Sequence, residues 1–292
     1  MKIHLVDGTY ELFRNYYGAP PKKLADGREV GAALGLLRSL IAMLAQPGVT
    51  HVACAFDHVI ESFRNDLYGG YKTGEGVEPD LLNQFQLAED LVAALGVIVW
   101  SMIEFEADDA LATGAARWKN DKSVEQILLC SPDKDLAQMV SGNKVVEWDR
   151  RRDIILDEAA VVAKFGVSPH SIPDWLALVG DTADGYPGIQ GWGAKSASAV
   201  LSKFGHLESI PEVVGAWEIK GLAPGRAANL SISLDQHRNE ALLYRKLATL
   251  RTDVPLAQRL DDLESRGATQ RLKELCAELG AEGIAERVTR WI

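Results

Sequence analysis

The chain of 292 residues carries 31 Lys and Arg against 41 Asp and Glu, a formal charge of −10, and is 47% hydrophobic and 25% charged. This length suits one large domain or two smaller ones, and the composition excludes a mostly disordered chain. No apolar run approaches the roughly 18 residues of a membrane span. The start, MKIHLVDGTYELFR, lacks the long apolar stretch and small-residue cleavage site of a signal peptide. The expectation is a cytoplasmic protein with no membrane association. Cys54, Cys130 and Cys276 lie far apart with no C-x-x-C pair, which argues against a disulfide framework or a cysteine zinc site.

Along the chain, KIHLV (2–6), HVACAF (51–56), VIVW (97–100) and QILLC (126–130) read as buried strands. Apolar residues at helical spacing occupy 31–45, 80–95 and 107–118. Strands alternating with helices over about 150 residues predict a parallel sheet covered on both faces. VVEW (145–148) and DIIL (153–156) read as an edge hairpin. After residue 157 strand-like runs nearly vanish, and 173–181, 194–205, 225–237 and 239–250 read as helices. GYPGIQGWG (185–193) interrupts them as a tight Gly- and Pro-rich loop. Residues 256–292 hold one amphipathic helix, about 268–279. The expected fold is an α/β domain followed by a small helical domain.

Acidic residues recur where the strands end. Asp7 closes the first apolar run and Asp57 the second; Glu106, Asp108 and Asp109 follow the third, and Asp133 and Asp135 the fourth. Open parallel sheets bind ligands at the carboxyl ends of their strands. Seven carboxylates are therefore expected at one sheet edge, with Asp181 and Asp184, after the WLALVG helix, able to join them. A lone Asp after a strand is commonly a cap or turn residue, and EADD and SPDKD each read as acidic helix starts. Recurrence at four successive strand ends favours a site. Nine crowded carboxylates would keep some protons unless cations neutralised them. An all-oxygen set suits Mg²⁺ or Mn²⁺ rather than zinc, and two such ions about 4 Å apart serve phosphodiester hydrolysis.

Gly185, Gly188, Gly191 and Gly193 precede a helix with Lys195 in its first turn. Exposed amides and a cation there suit a sequence-independent grip on a DNA backbone. Residues 61–80 are polar and Gly-rich, with Arg64 and Lys72 interleaved with Tyr68 and Tyr71. They read either as a segment guiding a single strand by charge and stacking or as a solvated loop. Arg226, Arg238, Arg245 and Lys246 either extend a basic face or are ordinary helical surface charges.

Together LVDG (5–8), FD (56–57), FR (63–64), YK (71–72), EADD (106–109), DKD (133–135), LVGDTADGYPG (178–188) and GWGAKSA (191–197) resemble the ordered motifs of the 5′-nuclease family, across about residues 2–255. That family includes flap endonucleases, phage 5′-exonucleases and the N-terminal nuclease domain of bacterial DNA polymerase I. The resemblance implies a PIN-like parallel-sheet nuclease domain over 1–165, with an arch or clamp at about 63–85. It implies a helix–three-turn–helix domain over 166–255 and a helical tail over 256–292. By analogy Asp7, Asp57, Glu106 and Asp108 surround a first Mg²⁺ or Mn²⁺. Asp133, Asp135 and Asp181 surround a second, with Asp108 able to bridge and Asp109 and Asp184 acting directly or through water. Lys72 and Arg64 take the catalytic phosphate-placing role. Tyr10, Tyr71, Gly188, Gly191, Gly193, Lys195 and Ser196 meet DNA, with a K⁺ ion on the loop carbonyls. The activity implied is 5′→3′ exonuclease and flap endonuclease cleavage in DNA replication and repair. The partners implied are branched or 5′-ended duplex DNA and a separate DNA polymerase, the chain itself being a monomer.

Three departures from the family pattern stand out. Glu75 in YKTGE occupies the place of an Arg, PDKD replaces GDKD, and DGYPG replaces DNIPG. Glu75 motivates an alternative, a structure-specific DNA-binding protein with negligible nuclease activity. An RNA-cleaving relative is disfavoured by the glycine loop with Lys195.

Overall fold

The computed structural model describes residues 1–292. Its elements begin with β1 (Lys2–Asp7), α1 (Gly8–Gly18), α2 (Gly31–Leu44), β2 (Val49–Asp57), α3 (Phe63–Leu67), α4 (Pro79–Leu82), α5 (Phe85–Ala94), β3 (Ile98–Met102), α6 (Ala107–Trp118) and β4 (Gln126–Cys130). They continue with β5 (Val145–Asp149), β6 (Ile154–Leu156), α7 (Glu158–Phe165), α8 (Ile172–Val179), α9 (Ala194–Phe204), α10 (Pro224–Gln236), α11 (Arg238–Ala248) and α12 (Gln270–Glu278). Two compact units result. One comprises Met1–Ser62, Gly74–Ser131 and Arg251–Ile292; the other comprises Phe63–Thr73 and Pro132–Leu250.

In the first unit four strands lie in the order β3-β2-β1-β4, all parallel. Strand β1 sits between β2 and β4, with Leu5 beside Ala53 and Leu129. A strand of a parallel sheet covered on both faces is apolar along most of its length rather than alternating. Ile3, Leu5 and Val6 are accordingly fully buried, as are Val52, Phe56 and Leu129. The parallel sheet expected from the alternating pattern is present.

Helix α1 escapes a reading by periodicity because GTYELFRNYYG has no sustained apolar face. It starts where Asp7 accepts a hydrogen bond from the Tyr10 amide at 2.8 Å, an N-cap. Helix α7 is likewise started by Asp157, which accepts from the Ala160 amide at 2.8 Å. The helix expected over 80–95 is broken at Asn83 and Gln84. The buried Gln84 side chain accepts from the Ala33 amide at 3.1 Å and donates to the Asp80 carbonyl at 2.9 Å, so it serves the start of α2.

In the second unit β5 and β6 form the expected antiparallel hairpin, Glu147 opposite Leu156. Its core gathers Trp175, Leu176, Leu178, Tyr186, Trp192, Val200, Trp217 and Leu247 from the loop and helices. No helix is long and apolar enough to cross a membrane.

Candidate metal centre

The carboxylates of the first unit stand at strand ends and are fixed by local hydrogen bonds. Asp7 is 6% exposed and accepts from the Ser131 hydroxyl at 2.9 Å as well as capping α1. Asp57 ends β2 and accepts from the Ala107 amide at 2.7 Å, while its own amide donates to the Thr9 hydroxyl at 2.8 Å. Glu106 and Asp109 form a reciprocal capping box on α6. Glu106 accepts from the Ser62 hydroxyl at 2.7 Å, and the buried Asp109 accepts from the Glu106 and Arg251 amides at 3.0 and 2.9 Å. Asp108 is half-buried in the first turn of the same helix. Thr9, Ser62 and Ser131 carry no sequence signal that separates them from surface hydroxyls, and the structure alone recruits them.

The second unit holds a tighter set. One ligand atom from each of Asp135, Asp181 and Asp184 lies within 4.8 Å of the other two, and all three residues are buried. Asp135 lies in the 3-10 turn Lys134–Met139, which starts where Asp133 accepts from the Asp135 amide. Asp181 and Tyr186 bridge through two backbone hydrogen bonds of 2.9 and 3.1 Å, which folds 181–186 into a tight loop carrying Asp184. Gly188 permits that loop: its φ is +71°, and a Cβ there would lie 2.4 Å from the Gly180 amide nitrogen. Burial, then the charges of Asp133, Asp184 and Asp181, push the Asp135 carboxyl well above the usual carboxylate range, with Lys134 opposing. One Asp135 oxygen is buried with no hydrogen-bond partner. An orphaned buried carboxylate oxygen among like charges fits a hard divalent cation.

Two lysines meet this set. Lys134 places its ammonium 2.7 Å from Asp181, and Lys72 lies 3.2 Å from Asp184. Burial lowers the Lys134 affinity for its proton, but the hydrogen bond and charge of Asp181 outweigh this, with Asp135 and Asp133 adding to it, and raise it overall. Neither pairing is legible from motif spacing.

Residues 63–73 pack with the second unit. The Lys72 amide donates to the Asp184 carbonyl at 3.0 Å. Arg64 is 1% exposed and donates to the carbonyls of Leu247 at 2.7 Å and Thr249 at 3.4 Å, at the end of α11. Tyr68 meets Tyr244 edge-on, and Tyr71 is 3% exposed within the core. Of the cations and rings that the sequence places in this polar segment, Arg64 and Tyr71 are thus buried within the second unit. The Arg64 fork satisfies carbonyls a helix end leaves open, and burying the Tyr71 ring removes apolar surface from water.

The glycine loop leads into α9, where the Ser196 hydroxyl bonds back to the Gly193 amide and carbonyl at 3.1 and 3.0 Å. Lys195 stands in the first turn, beside an open groove of about 470 Å³ whose lining includes Lys195, Lys220 and Arg226. Gly191 has φ of +82° and its carbonyl accepts from Arg226. Tyr10 is half-buried on α1. Arg245 pairs with Asp174 and Glu208.

An α/β unit with carboxylates at its strand ends, joined in sequence to a helical unit with a buried Asp triad, describes a resolvase-like nuclease. Residues 2–166 match the model for the 5′-3′ exonuclease N-terminal resolvase-like domain, and residues 167–271 match the 5′-3′ exonuclease C-terminal SAM fold. The chain belongs to the 5′-3′ exonuclease family. It is 30% identical to the 5′-3′ exonuclease of Aquifex aeolicus over 99% of this chain and 95% of that protein. It is 30% identical to the 5′-3′ exonuclease of Buchnera aphidicola over 89% of this chain and 90% of that one. DNA polymerase I of Bacillus caldotenax is 32% identical over 98% of this chain, which spans only 32% of that longer protein. The fold is similar to the bacteriophage T5 flap endonuclease in a pseudo-enzyme-product complex with DNA and metal ions (TM-score 0.65, 18% identity, 98% of this chain and 100% of that one). It is also similar to the catalytic core of Rad2 in complex with DNA substrate (TM-score 0.60, 14% identity, 98% and 90%).

Proposed function

We propose that the chain hydrolyses DNA phosphodiesters from 5′ ends and at flap junctions by a two-metal mechanism that leaves 5′-phosphates. The single observation carrying this reading is the buried Asp135–Asp181–Asp184 set, whose ligand atoms lie within 4.8 Å. Asp133, Asp135 and Asp181 would hold one Mg²⁺ or Mn²⁺, and Asp7, Asp57, Glu106 and Asp108 the other, with Asp184 and Asp109 acting directly or through water. The ions supply an activated water and charge stabilisation at the phosphate. The protein's part is to hold the carboxylates by caps and hydroxyl bonds before substrate arrives. Lys72 is the cation proposed to meet the scissile phosphate once released from Asp184. Arg64, committed to the carbonyls at the end of α11, is proposed to seat residues 63–73 so that Lys72 is correctly placed.

Gly188, Gly191, Gly193, Lys195 and Ser196 are proposed to grip duplex DNA through its backbone, with K⁺ on the loop carbonyls. Residues 63–85 are proposed as the clamp over a single strand, with Tyr10 beside it. The domain assignment 1–165, 166–255 and 256–292 belongs to the same proposal. So do a cytoplasmic, monomeric state and cooperation with a separate DNA polymerase.

The test is cleavage of an end-labelled 5′-flap duplex in Mg²⁺ and in Mn²⁺, beside Asp181→Asn. Junction cleavage by the native chain, lost by two or more orders of magnitude in the variant, supports the reading. Tight flap binding with no cleavage in either metal would replace it with the binding-protein alternative.

A further inference from the structure

Two histidines of the second unit, far apart in sequence, come together beside a buried carboxylate. His170 lies in the short turn Pro169–Ser171 that leads into α8, and His206 stands two residues past the end of α9. Their ring centroids are 5.4 Å apart, with the planes tilted by 47°, and both side chains are exposed. Each ring has one nitrogen engaged by the chain. The Asp174 carboxylate can only accept, so His206 donates to it through Nδ1–H at 2.8 Å. In the neutral ring this leaves the Nε2 lone pair open. His170 meets the Ser168 hydroxyl through Nε2 at 3.1 Å, and its Nδ1 makes no bond to the chain.

Asp174 is itself fixed. It is 2% exposed and also accepts from the Leu207 amide and from Arg245, each at 3.2 Å. Arg245 is shared with Glu208, so two carboxylates and one guanidinium leave a net negative charge beside the rings. An imidazole whose other nitrogen donates to a carboxylate is the arrangement that orients metal-binding histidines and raises their basicity. With metal–nitrogen distances of about 2.1 Å and a tetrahedral angle, two ligating rings have centroids roughly 5–6 Å apart, and the pair falls in that range. An ion pair with Asp174 would account for a protonated His206 alone, whereas a second protonated ring at this distance would be repelled.

We propose that His170 and His206 form a further metal site, for a nitrogen-seeking divalent ion of the Zn²⁺ and Cu²⁺ class, with water completing the coordination. Imidazole suits those ions, whereas the all-oxygen Asp135–Asp181–Asp184 set suits Mg²⁺ or Mn²⁺. The two sites therefore take different metals. An ion on the histidines ties the start of α8 to the end of α9. Those helices flank the glycine loop, with Asp181 just past α8 and Lys195 in the first turn of α9. The ion is thus a removable brace on the helix pair that presents the loop, and the inference does not depend on the nuclease reading.

The experiment titrates native protein, His170→Ala, His206→Ala and Asp181→Asn with Cu²⁺ and, separately, with Zn²⁺, each beside excess Mg²⁺ to occupy the carboxylates. Electron paramagnetic resonance of the Cu²⁺ samples reads nitrogen coupling, and melting with and without Zn²⁺ reads the brace. Both histidines are exposed, so their variants should melt near the native temperature before metal is added. One equivalent of Cu²⁺ should couple to two nitrogens in the native chain and in Asp181→Asn. Either histidine variant should show no more than one, with affinity falling at least about tenfold. Zn²⁺ should raise the melting temperature of the native chain and leave that of the histidine variants unchanged. Cu²⁺ bound without nitrogen coupling in the native chain, or two-nitrogen coupling retained in either histidine variant, would overturn the site. Binding kept by the histidine variants and lost in Asp181→Asn would place the ion on the carboxylates and overturn it as well.

Discussion

The Lys134 ammonium lies 2.7 Å from Asp181, so a cation of the protein already sits on a buried carboxylate of the triad. Lys72 does the same for Asp184 at 3.2 Å. Lys134 opposes the burial and the like charges that push the Asp135 carboxyl upward. A divalent ion offers more charge in less space and competes with both lysines for the same oxygens.

Lys134→Met removes one of these cations. The metal-free variant should melt several degrees below the native chain at pH 8, because the buried carboxylates lose a partner. Mg²⁺ should raise the melting temperature of the variant more than that of the native protein, since the ion takes over neutralisation and binds without a competitor. Scanning fluorimetry with and without Mg²⁺ checks this; equal Mg²⁺ shifts in the two proteins would contradict it.

Arg64 and Lys72, both cations of one short segment, should behave differently. Arg64→Ala leaves the end of α11 with unsatisfied carbonyls and empties a buried site, costing about 2–4 kcal/mol of stability. Lys72→Ala touches a partly exposed pair and should melt near the native temperature while cleavage slows by more than an order of magnitude. Urea unfolding beside single-turnover cleavage distinguishes the two. Equal stability losses would refute the division of labour.

Glu147 on β5 is 1% exposed, with one oxygen lacking a partner and Lys164 no nearer than 3.9 Å to the other. Burial pushes its carboxyl up from 4.5 to about 7; Lys164 opposes this, while Asp133 and Asp149 add to it. Between those values the folded chain binds a proton that the unfolded chain has released. The associated stability is fully present below about pH 4.5 and is lost as pH rises through about 7, a change of roughly 3 kcal/mol. Glu147→Gln should flatten this part of the stability–pH curve and be the more stable protein at pH 8. Urea midpoints from pH 5 to 8 in the presence of EDTA would reveal the difference, and parallel curves would exclude it.

Lys195→Ala should weaken binding of duplex DNA about equally for unrelated sequences. It should lower the slope of log affinity against log salt by about one, the signature of one lost phosphate contact. Fluorescence anisotropy in Ca²⁺ over a series of salt concentrations measures it. A sequence-dependent loss would argue against a backbone contact.

Much of this molecule was readable from local pattern. The parallel strands were visible because a strand of a sheet covered on both faces is a near-continuous apolar run, as KIHLV and QILLC are apart from Lys2, His4 and Gln126. The carboxylates were visible because strand ends in a parallel sheet face one edge, and Asp7 and Asp57 end β1 and β2. Helix α1 was not visible, since its start depends on a single cap, Asp7, and it has no long apolar stripe.

Sequence by itself determined the order of elements, the family and the positions of the nine acidic residues, because strand period, capping and motif spacing act over a few residues. Tertiary structure alone decided which of those residues acquire partners. Arg64 meets Leu247 across 183 positions, Lys134 meets Asp181, and Tyr186 comes to rest with its hydroxyl unpaired. Such meetings follow from how apolar surfaces close around polar groups, and each buried charge then takes whatever donor or acceptor the packing brings within reach.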